Sequence, residues 1–163
     1  MKTLILLRHA TAEEGSTVFK DIERELTSKG IMESARIGQY LKSTFKIDGI
    51  YTSPSFRTLN TSEIVAEQLG IDKSQIVVNE SLYGGGPRAY LSITNQLSES
   101  QTCVLLVGHN PDITFYAEYL CRDDIGGGME KATAIEIVFD DITWAEVSQK
   151  SGKFKNRQDI IDL

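Results

Sequence analysis

Two short apolar runs, each ending near a histidine, constrain this chain more than any other feature. Residues 4–7 are followed by Arg8 and His9, and residues 104–107 are followed by a glycine and then His109; the chain has no other histidine. Four apolar residues are too few for a stable helix and are typical of a strand buried on both faces of an α/β sheet. Since ligands bind at the carboxyl ends of the strands in such sheets, we expect both histidines at the binding edge.

The rest of the chain alternates between strand and helix patterns. Helices are predicted over 27–45, 54–69, 87–97 and 111–121, and strands over 49–53, 75–78 and 102–107. Residues 134–139 and 142–147 read as a terminal hairpin at a sheet edge. This alternation predicts an α/β fold, a three-layer sandwich with a mostly parallel central sheet between helices. The aperiodic stretch 10–26 is predicted to be a long functional loop over the strand ends.

Length and composition narrow the class of protein. A chain of 163 residues fits one domain over 1–163, with a C-terminal tail from about 150. The apolar runs are far too short to span a bilayer, and a net charge of −6 argues against a nucleic-acid partner. Cys103 and Cys121 lack ligand spacing, which indicates reduced thiols and a cytoplasmic location.

A third side chain, that of Arg57, is expected near the two histidines. Arg57 lies in the first turn of the helix predicted after residue 53, and helical side chains lean toward the helix N-terminus. Its guanidinium is therefore expected at the same edge as Arg8, His9 and His109. Because a guanidinium fork matches phosphate oxygens, the predicted ligand is a phosphoryl group. His9 is the candidate nucleophile, since a neutral imidazole can attack phosphorus and carry the phosphoryl group until water removes it.

Four motifs in this order resemble those of the histidine phosphatase superfamily, and within it the small SixA-type phosphohistidine phosphatases. The matching stretches, spread from residue 4 to about 147, are Leu7-Arg8-His9, Leu26-Thr27-Ser28-Lys29-Gly30, Ser53-Pro54-Ser55-Phe56-Arg57 with Thr61, and Val107-Gly108-His109-Asn110-Pro111.

The resemblance implies a phosphoglycerate mutase-like fold for a single histidine phosphatase domain. It implies a metal-independent hydrolase without a cofactor, which forms a phosphoenzyme on His9. Arg8, Arg57 and His109 would complete the catalytic set and bind the phosphoryl group, with Asn110 beside them. We expect His9 to be neutral, so that it can attack, and His109 to be protonated. The implied substrate is a protein that carries phosphohistidine.

The sequence departs from the superfamily pattern in two places. The third signature position, usually glycine, is Ala10, which takes a positive φ less easily. The carboxylic acid expected beyond a Tyr-Gly step is missing, and Glu80 is the nearest acid; it is either a proton donor or a solvated residue at a strand end. A missing acid favours a P–N bond, because imidazole leaves more easily than an alkoxide.

Two other functions stay open. One is a phosphatase of small phosphometabolites, although short connections around the pocket leave little chain for the lid that a small substrate usually needs. The other is a catalytically inactive module that binds phosphate or a phosphoprotein, although all four pocket residues are present.

Overall fold

The computed structural model describes residues 1–15 and 18–163, and within these ranges a six-stranded mixed sheet forms the centre of the protein. The strands are β1 (Lys2–Arg8), β2 (Gly49–Thr52), β3 (Val77–Val78), β4 (Cys103–Gly108), β5 (Ala134–Phe139) and β6 (Lys153–Gln158). Their order across the sheet is β3-β2-β4-β1-β5-β6. The first four are parallel, whereas β5 is antiparallel to β1, and β6 to β5.

Four α-helices lie in the described ranges, and their ends follow the predicted signals. They are α1 (Ser28–Thr44), α2 (Phe56–Leu69), α3 (Pro87–Asn95) and α4 (Asp112–Leu120). The Thr27 side chain caps α1 by accepting a hydrogen bond from the Gly30 N–H at 3.1 Å. Gly70 ends α2 in the left-handed conformation, with φ of 73°.

The two faces of the sheet bury separate cores. In β1, Leu4 and Leu6 face the core that contains α3 and α4, whereas Ile5 and Leu7 face the core that contains α1 and α2. All four side chains are completely buried, as expected for a strand covered on both faces. The predicted three-layer α/β sandwich is therefore confirmed.

The C-terminal part differs from the prediction. The strand predicted over 142–147 is wrong: Trp144–Glu146 is a short 3₁₀ helix, and its buried tryptophan packs into the core beside Phe139. The tail predicted from about 150 is also wrong, because β6 pairs with β5. This strand lies at the sheet edge with mostly solvent-facing side chains, so it lacks the apolar alternation that identifies a strand in a sequence.

The loop predicted over 10–26 includes residues 16 and 17, which lie outside the described residues. Its described part contains a 3₁₀ helix, Asp21–Glu23, and a bridge between Ala12 and Leu26. No helix in the described ranges has both the length and the apolar character to cross a bilayer.

Both cysteines are free thiols. Burial raises the pKa of Cys103 to about 12 and that of Cys121 to about 11. Neither side chain is a thiolate at neutral pH, so neither competes with a histidine as a nucleophile.

Candidate active site

The sheet register brings the two histidines together. β1 and β4 are parallel neighbours in which Arg8 lies opposite Gly108, so His9 and His109 are the next residues along. The His9 N–H donates to the Gly108 carbonyl at 3.1 Å, and the two imidazole rings lie 5.6 Å apart between centroids. The predicted juxtaposition is thus present, and it results from backbone pairing.

His9 is held in one tautomer by its neighbour in the chain. Its ring is buried, and Nδ1 lies 2.7 Å from the Ala10 carbonyl oxygen. A carbonyl only accepts hydrogen bonds, so Nδ1 carries the proton and Nε2 keeps its lone pair. Ala10 itself shows no positive φ, and its N–H donates to Thr61 Oγ1 at 3.1 Å. Alanine therefore fits this turn without the strain that its replacement of glycine suggested.

His109 is fixed through two hydrogen bonds. Its Nε2 lies 2.6 Å from Ser53 Oγ, and its backbone N–H donates to the Tyr90 hydroxyl at 3.1 Å. A Cβ atom at Gly108 would lie 2.0 Å from that hydroxyl oxygen, so only glycine fits there. When the Ser53 hydroxyl donates to Nε2, Nδ1 carries the ring proton. This Nδ1 is buried and has no hydrogen-bond partner among the described residues.

The two arginines approach the histidines from different elements. Arg8, at the end of β1, donates from Nη1 to the Met129 carbonyl at 3.0 Å, while its buried Nε has no hydrogen-bond partner in the described ranges. Arg57, at the start of α2, is only 7% exposed; it donates from Nη1 to the Asp21 carbonyl and from Nη2 to the Asp21 carboxylate. The charges of both arginines reach both imidazole rings and lower their pKa values.

Both histidines are neutral at physiological pH. Burial, and to a smaller extent the neighbouring positive charges, lowers the pKa of His9 to about 3 and that of His109 to about 4. A neutral His9 agrees with the expected nucleophile. The expected protonation of His109 does not hold in the unliganded protein, because two arginines and little water surround the ring. A bound phosphoryl dianion would reverse that preference, since an adjacent negative charge favours the imidazolium.

The predicted ancillary residues have different positions. Asn110 donates from Nδ2 to the Met129 carbonyl at 2.8 Å, the same oxygen that Arg8 contacts, and its Oδ1 accepts from Thr114. Asn110 therefore stabilises the loop at Met129, whose carbonyl group also accepts from Arg8. Glu80 is exposed at the start of the 3₁₀ helix Glu80–Leu82, and within the described ranges its carboxylate makes no hydrogen bond to the site.

Two groups in the site were not predicted from the sequence. Asp21 accepts hydrogen bonds at Oδ2 from Arg57 and, at 2.6 Å, from the Tyr83 hydroxyl. The Tyr83 ring in turn packs edge-on against His109, with centroids 5.7 Å apart. Asp21 falls in the aperiodic loop that was expected to be functional, but no motif distinguishes it from the other acids there.

The arrangement suits the binding of an oxyanion that carries a leaving group. The candidate nucleophile, the Nε2 atom of the neutral His9 ring, lies among two guanidinium groups and a second imidazole. Buried polar atoms are nearly always hydrogen-bonded, so the unpartnered Arg8 Nε and His109 Nδ1 indicate donors that a ligand completes. Donors of this kind, held in place by the protein, stabilise negative charge in a transition state.

Comparison of the sequence with known proteins identifies related chains. The family model described as the histidine phosphatase superfamily (branch 1) matches residues 4–83. An uncharacterized protein of Picosynechococcus sp. is 28% identical over 130 residues, which cover 76% of this chain and 75% of that protein. A 2,3-bisphosphoglycerate-dependent phosphoglycerate mutase of Elusimicrobium minutum is 33% identical over 93 residues, 52% of this chain and 37% of the mutase.

Solved structures share the fold over nearly the whole chain. A candidate phosphohistidine phosphatase SixA of Nakamurella multipartitia is 25% identical, with a TM-score of 0.79 over 97% of this chain and 95% of that one. The corresponding SixA candidate of Agrobacterium tumefaciens is 24% identical, with a TM-score of 0.80 over 97% of each chain. A mycobacterial glucosyl-3-phosphoglycerate phosphatase is 15% identical, with a TM-score of 0.69 over 95% of this chain and 96% of that one.

Proposed function

We propose that the chain is a member of the histidine phosphatase superfamily, whose family model matches residues 4–83, and that it is a phosphohistidine phosphatase. It would hydrolyse the P–N bond of a phosphorylated protein through a phosphoenzyme on His9. The observation that carries the proposal is the tautomer of His9, whose Nε2 lone pair is free while the Ala10 carbonyl holds Nδ1–H. The unpartnered donors of Arg8 and His109 lie beside it.

In the first half-reaction, Arg8, Arg57 and His109 hold the phosphoryl oxygens. His9 Nε2 attacks phosphorus, the P–N bond of the substrate breaks, and its electron pair stays on the substrate nitrogen. Throughout this step Nδ1–H remains on His9, so the phosphorylated ring is a cation that the Ala10 carbonyl stabilises.

In the second half-reaction, water attacks the phosphoryl group on His9. The P–N bond to Nε2 breaks, its electron pair returns to Nε2, and both protons of the water stay with the phosphate, which is released as H₂PO₄⁻. The arginines act in both steps, because both pass through a transition state with charge on the same phosphoryl oxygens. A metal ion is not needed for either step, since the guanidinium groups supply the positive charge.

The lack, among the described residues, of a positioned acid that could protonate a leaving group favours a substrate with a P–N bond. An alkyl phosphate needs an acid that protonates the departing oxygen, and the exposed Glu80 makes no hydrogen bond to the site within the described ranges. The overall likeness to SixA structures supports the same substrate class. Free thiols at Cys103 and Cys121 are consistent with a reducing compartment, and we place the protein in the cytoplasm as part of this proposal.

A substrate panel tests the proposal. We expect phosphate release from a phosphohistidine peptide to be much faster than from a phosphoserine peptide or a sugar phosphate. Comparable rates on the sugar phosphate would favour a phosphatase of small metabolites. Phosphate binding without turnover of any substrate would favour an inactive binding module.

A further inference from the structure

Asp21 brings a carboxylate into contact with the candidate site. Its Oδ2 accepts hydrogen bonds from Arg57 Nη2 at 3.1 Å and from the Tyr83 hydroxyl at 2.6 Å, while its Oδ1 accepts from Arg24 Nη1 at 3.0 Å. An ionised carboxylate can accept about four hydrogen bonds, so an acceptor position remains on Oδ1. The Asp21 side chain is 53% exposed, which leaves that position open to a molecule that reaches Arg57.

The Asp21 carboxylate is linked to His109 through Tyr83. Tyr83, its hydrogen-bond partner, packs on His109, and the negative charge of Asp21 acts on His109 by raising its pKa against the effect of burial. The charges that lower the pKa of His9 include those of Arg57 and Arg8. An in-line displacement expels the leaving group away from the nucleophile, and a leaving group that departs past Arg57 reaches the Asp21 carboxylate.

On the basis of the proposed function, we propose that Asp21 recognises the leaving group. Its carboxylate accepts a hydrogen bond from the distal ring N–H of the substrate's phosphohistidine and so stabilises the ring as an imidazolium. Asp21 would then accept a hydrogen bond from the substrate ring, just as the Ala10 carbonyl accepts one from Nδ1–H of His9. The two phosphohistidine rings of the reaction, that of the substrate and that of the enzyme, would each have an acceptor on the distal nitrogen.

The step balances without an acid. In the bound substrate one ring nitrogen carries the phosphoryl group and the distal nitrogen carries a proton. His9 Nε2 forms the new bond to phosphorus, and the electron pair of the broken P–N bond becomes the lone pair of the proximal nitrogen. The distal proton stays in place, so the product is neutral imidazole and no proton crosses to the leaving atom.

The same carboxylate is unsuited to alkyl esters. Hydrogen bonds from the Tyr83 hydroxyl and from the Arg24 and Arg57 guanidinium groups hold the pKa of Asp21 well below its usual range, so the group is ionised at neutral pH. An ionised carboxylate cannot protonate a departing alkoxide, whereas it attracts an imidazolium. Asp21 thereby gives a physical basis for discrimination between P–N and P–O substrates.

The variant Asp21→Asn removes the charge and keeps the size of the side chain. Its kcat/KM is measured on phosphoimidazole, on p-nitrophenyl phosphate and on the N′-methylated phosphoimidazolium, which keeps the ring charge but has no distal N–H. The matched control is Glu25→Gln, which removes an equal charge from an exposed position in the same loop.

We expect Asp21→Asn to lose roughly ten- to hundredfold on phosphoimidazole, the range of a charge-assisted hydrogen bond. The loss on the aryl ester and on the methylated ring should be clearly smaller, and Glu25→Gln should behave like the parent protein on all three. Equal losses on phosphoimidazole and the aryl ester would overturn the inference, because Asp21 would then act only by holding Arg57. If the parent protein cleaves the aryl ester but not phosphoimidazole, the proposed function itself fails.

Discussion

At the scale of single residues, the chemistry depends on which His9 nitrogen carries the proton. The Ala10 carbonyl fixes that proton on Nδ1, and burial keeps the ring neutral with a pKa of about 3. A neutral imidazole with a lone pair on Nε2 therefore exists over the whole neutral range of pH, so the proposed nucleophile needs no separate general base to remove a proton from it.

Replacement of His9 by alanine tests this role. We expect His9→Ala to lose turnover by several orders of magnitude, because the other imidazole at the site, that of His109, has its Nε2 hydrogen-bonded to Ser53 and offers no free ring lone pair. The protein should remain folded and should still bind inorganic phosphate, since Arg8, Arg57 and His109 are unchanged. Phosphate release is measured with a phosphohistidine peptide, and phosphate binding by calorimetry. Normal turnover in this variant would contradict the mechanism.

The two buried histidines also predict an acid-sensitive stability. Their pKa values are about 3 and about 4 in the folded protein, below the ordinary 6.5, so the unfolded chain takes up more protons as the pH falls below about 6.5. The free energy of unfolding should thus fall from pH 6.5 toward pH 4. The double variant His9→Asn/His109→Asn should show a smaller fall in its urea midpoint. Identical pH profiles of the two proteins would show that the histidines titrate normally when folded.

Single residues differ in how far the sequence predicts them. Arg8, His9, Arg57 and His109 could be placed together because strand ends and a helix start converge at one edge of a parallel sheet. Asp21 could not be placed, because its partner Tyr83 is 62 residues away and both belong to irregular segments. The lowered pKa of His109 is not predictable from the sequence for a different reason: it results mainly from burial, and burial is a property of the assembled core.

At the scale of elements, the C-terminal edge strand supports the site through a loop. Arg157 on β6 is ion-paired with Asp159 at 3.0 Å and donates hydrogen bonds to the carbonyl groups of Ile125, Gly127 and Gly128. The next residue of that loop, Met129, presents the carbonyl that accepts from both Arg8 and Asn110. β6 is thus connected to Arg8, which we propose to bind phosphate, through hydrogen bonds to two adjacent residues of one loop, Gly128 and Met129.

This connection predicts an effect of a distant substitution. Arg157→Ala frees the loop carbonyl groups and loosens the support of Arg8, so kcat/KM should fall about tenfold, mainly through a higher KM. Lys155→Ala, an exposed basic residue on the same strand, is the control and should stay within about twofold. Steady-state kinetics and phosphate affinity measure both. If the two variants behave alike, the loop does not depend on Arg157.

The elements that the sequence predicted well have strong local signals. Thr27 and Gly70 mark helix ends, and residues 4–7 and 104–107 are uniformly apolar because helices cover both faces of the sheet. Residues 142–147 resemble a strand in the sequence because Ile142, Trp144 and Val147 are apolar. In the structure these side chains pack into the core from a 3₁₀ helix and its flanking residues, which lie against α3. Asn95 at the end of α3 donates to the Trp144 and Val147 carbonyl groups, a long-range contact that no local pattern reveals.

At the scale of the whole molecule, positive charge is concentrated at the candidate site although the chain as a whole is acidic. The chain carries a net charge of −6, yet two guanidinium groups lie beside the paired histidines. Among residues 1–15 and 18–163, no cluster of three or more His, Cys, Asp or Glu side chains is arranged to hold a metal ion.

The positive charge of Arg8 and Arg57 beside the histidines predicts an activity that is independent of metal ions. The arginines provide the charge that Mg²⁺ or Zn²⁺ supplies in other phosphoryl-transfer enzymes. We expect kcat/KM on a phosphohistidine peptide to change by less than about twofold after dialysis against EDTA, within the range of minor perturbations. A large loss that added metal restores would show that the site has been misinterpreted.

The in-register pairing of β1 with β4 has a consequence for how such an enzyme diversifies. The spacing of the two imidazole rings is set by a hydrogen-bond ladder in the middle of the sheet, where neighbouring strands have little freedom to shift. Asp21 and Tyr83, by contrast, lie in segments outside that ladder. On the proposed mechanism, different segments grafted at these two places would direct the protein to other leaving groups, while the spacing of the two imidazole rings would stay unchanged.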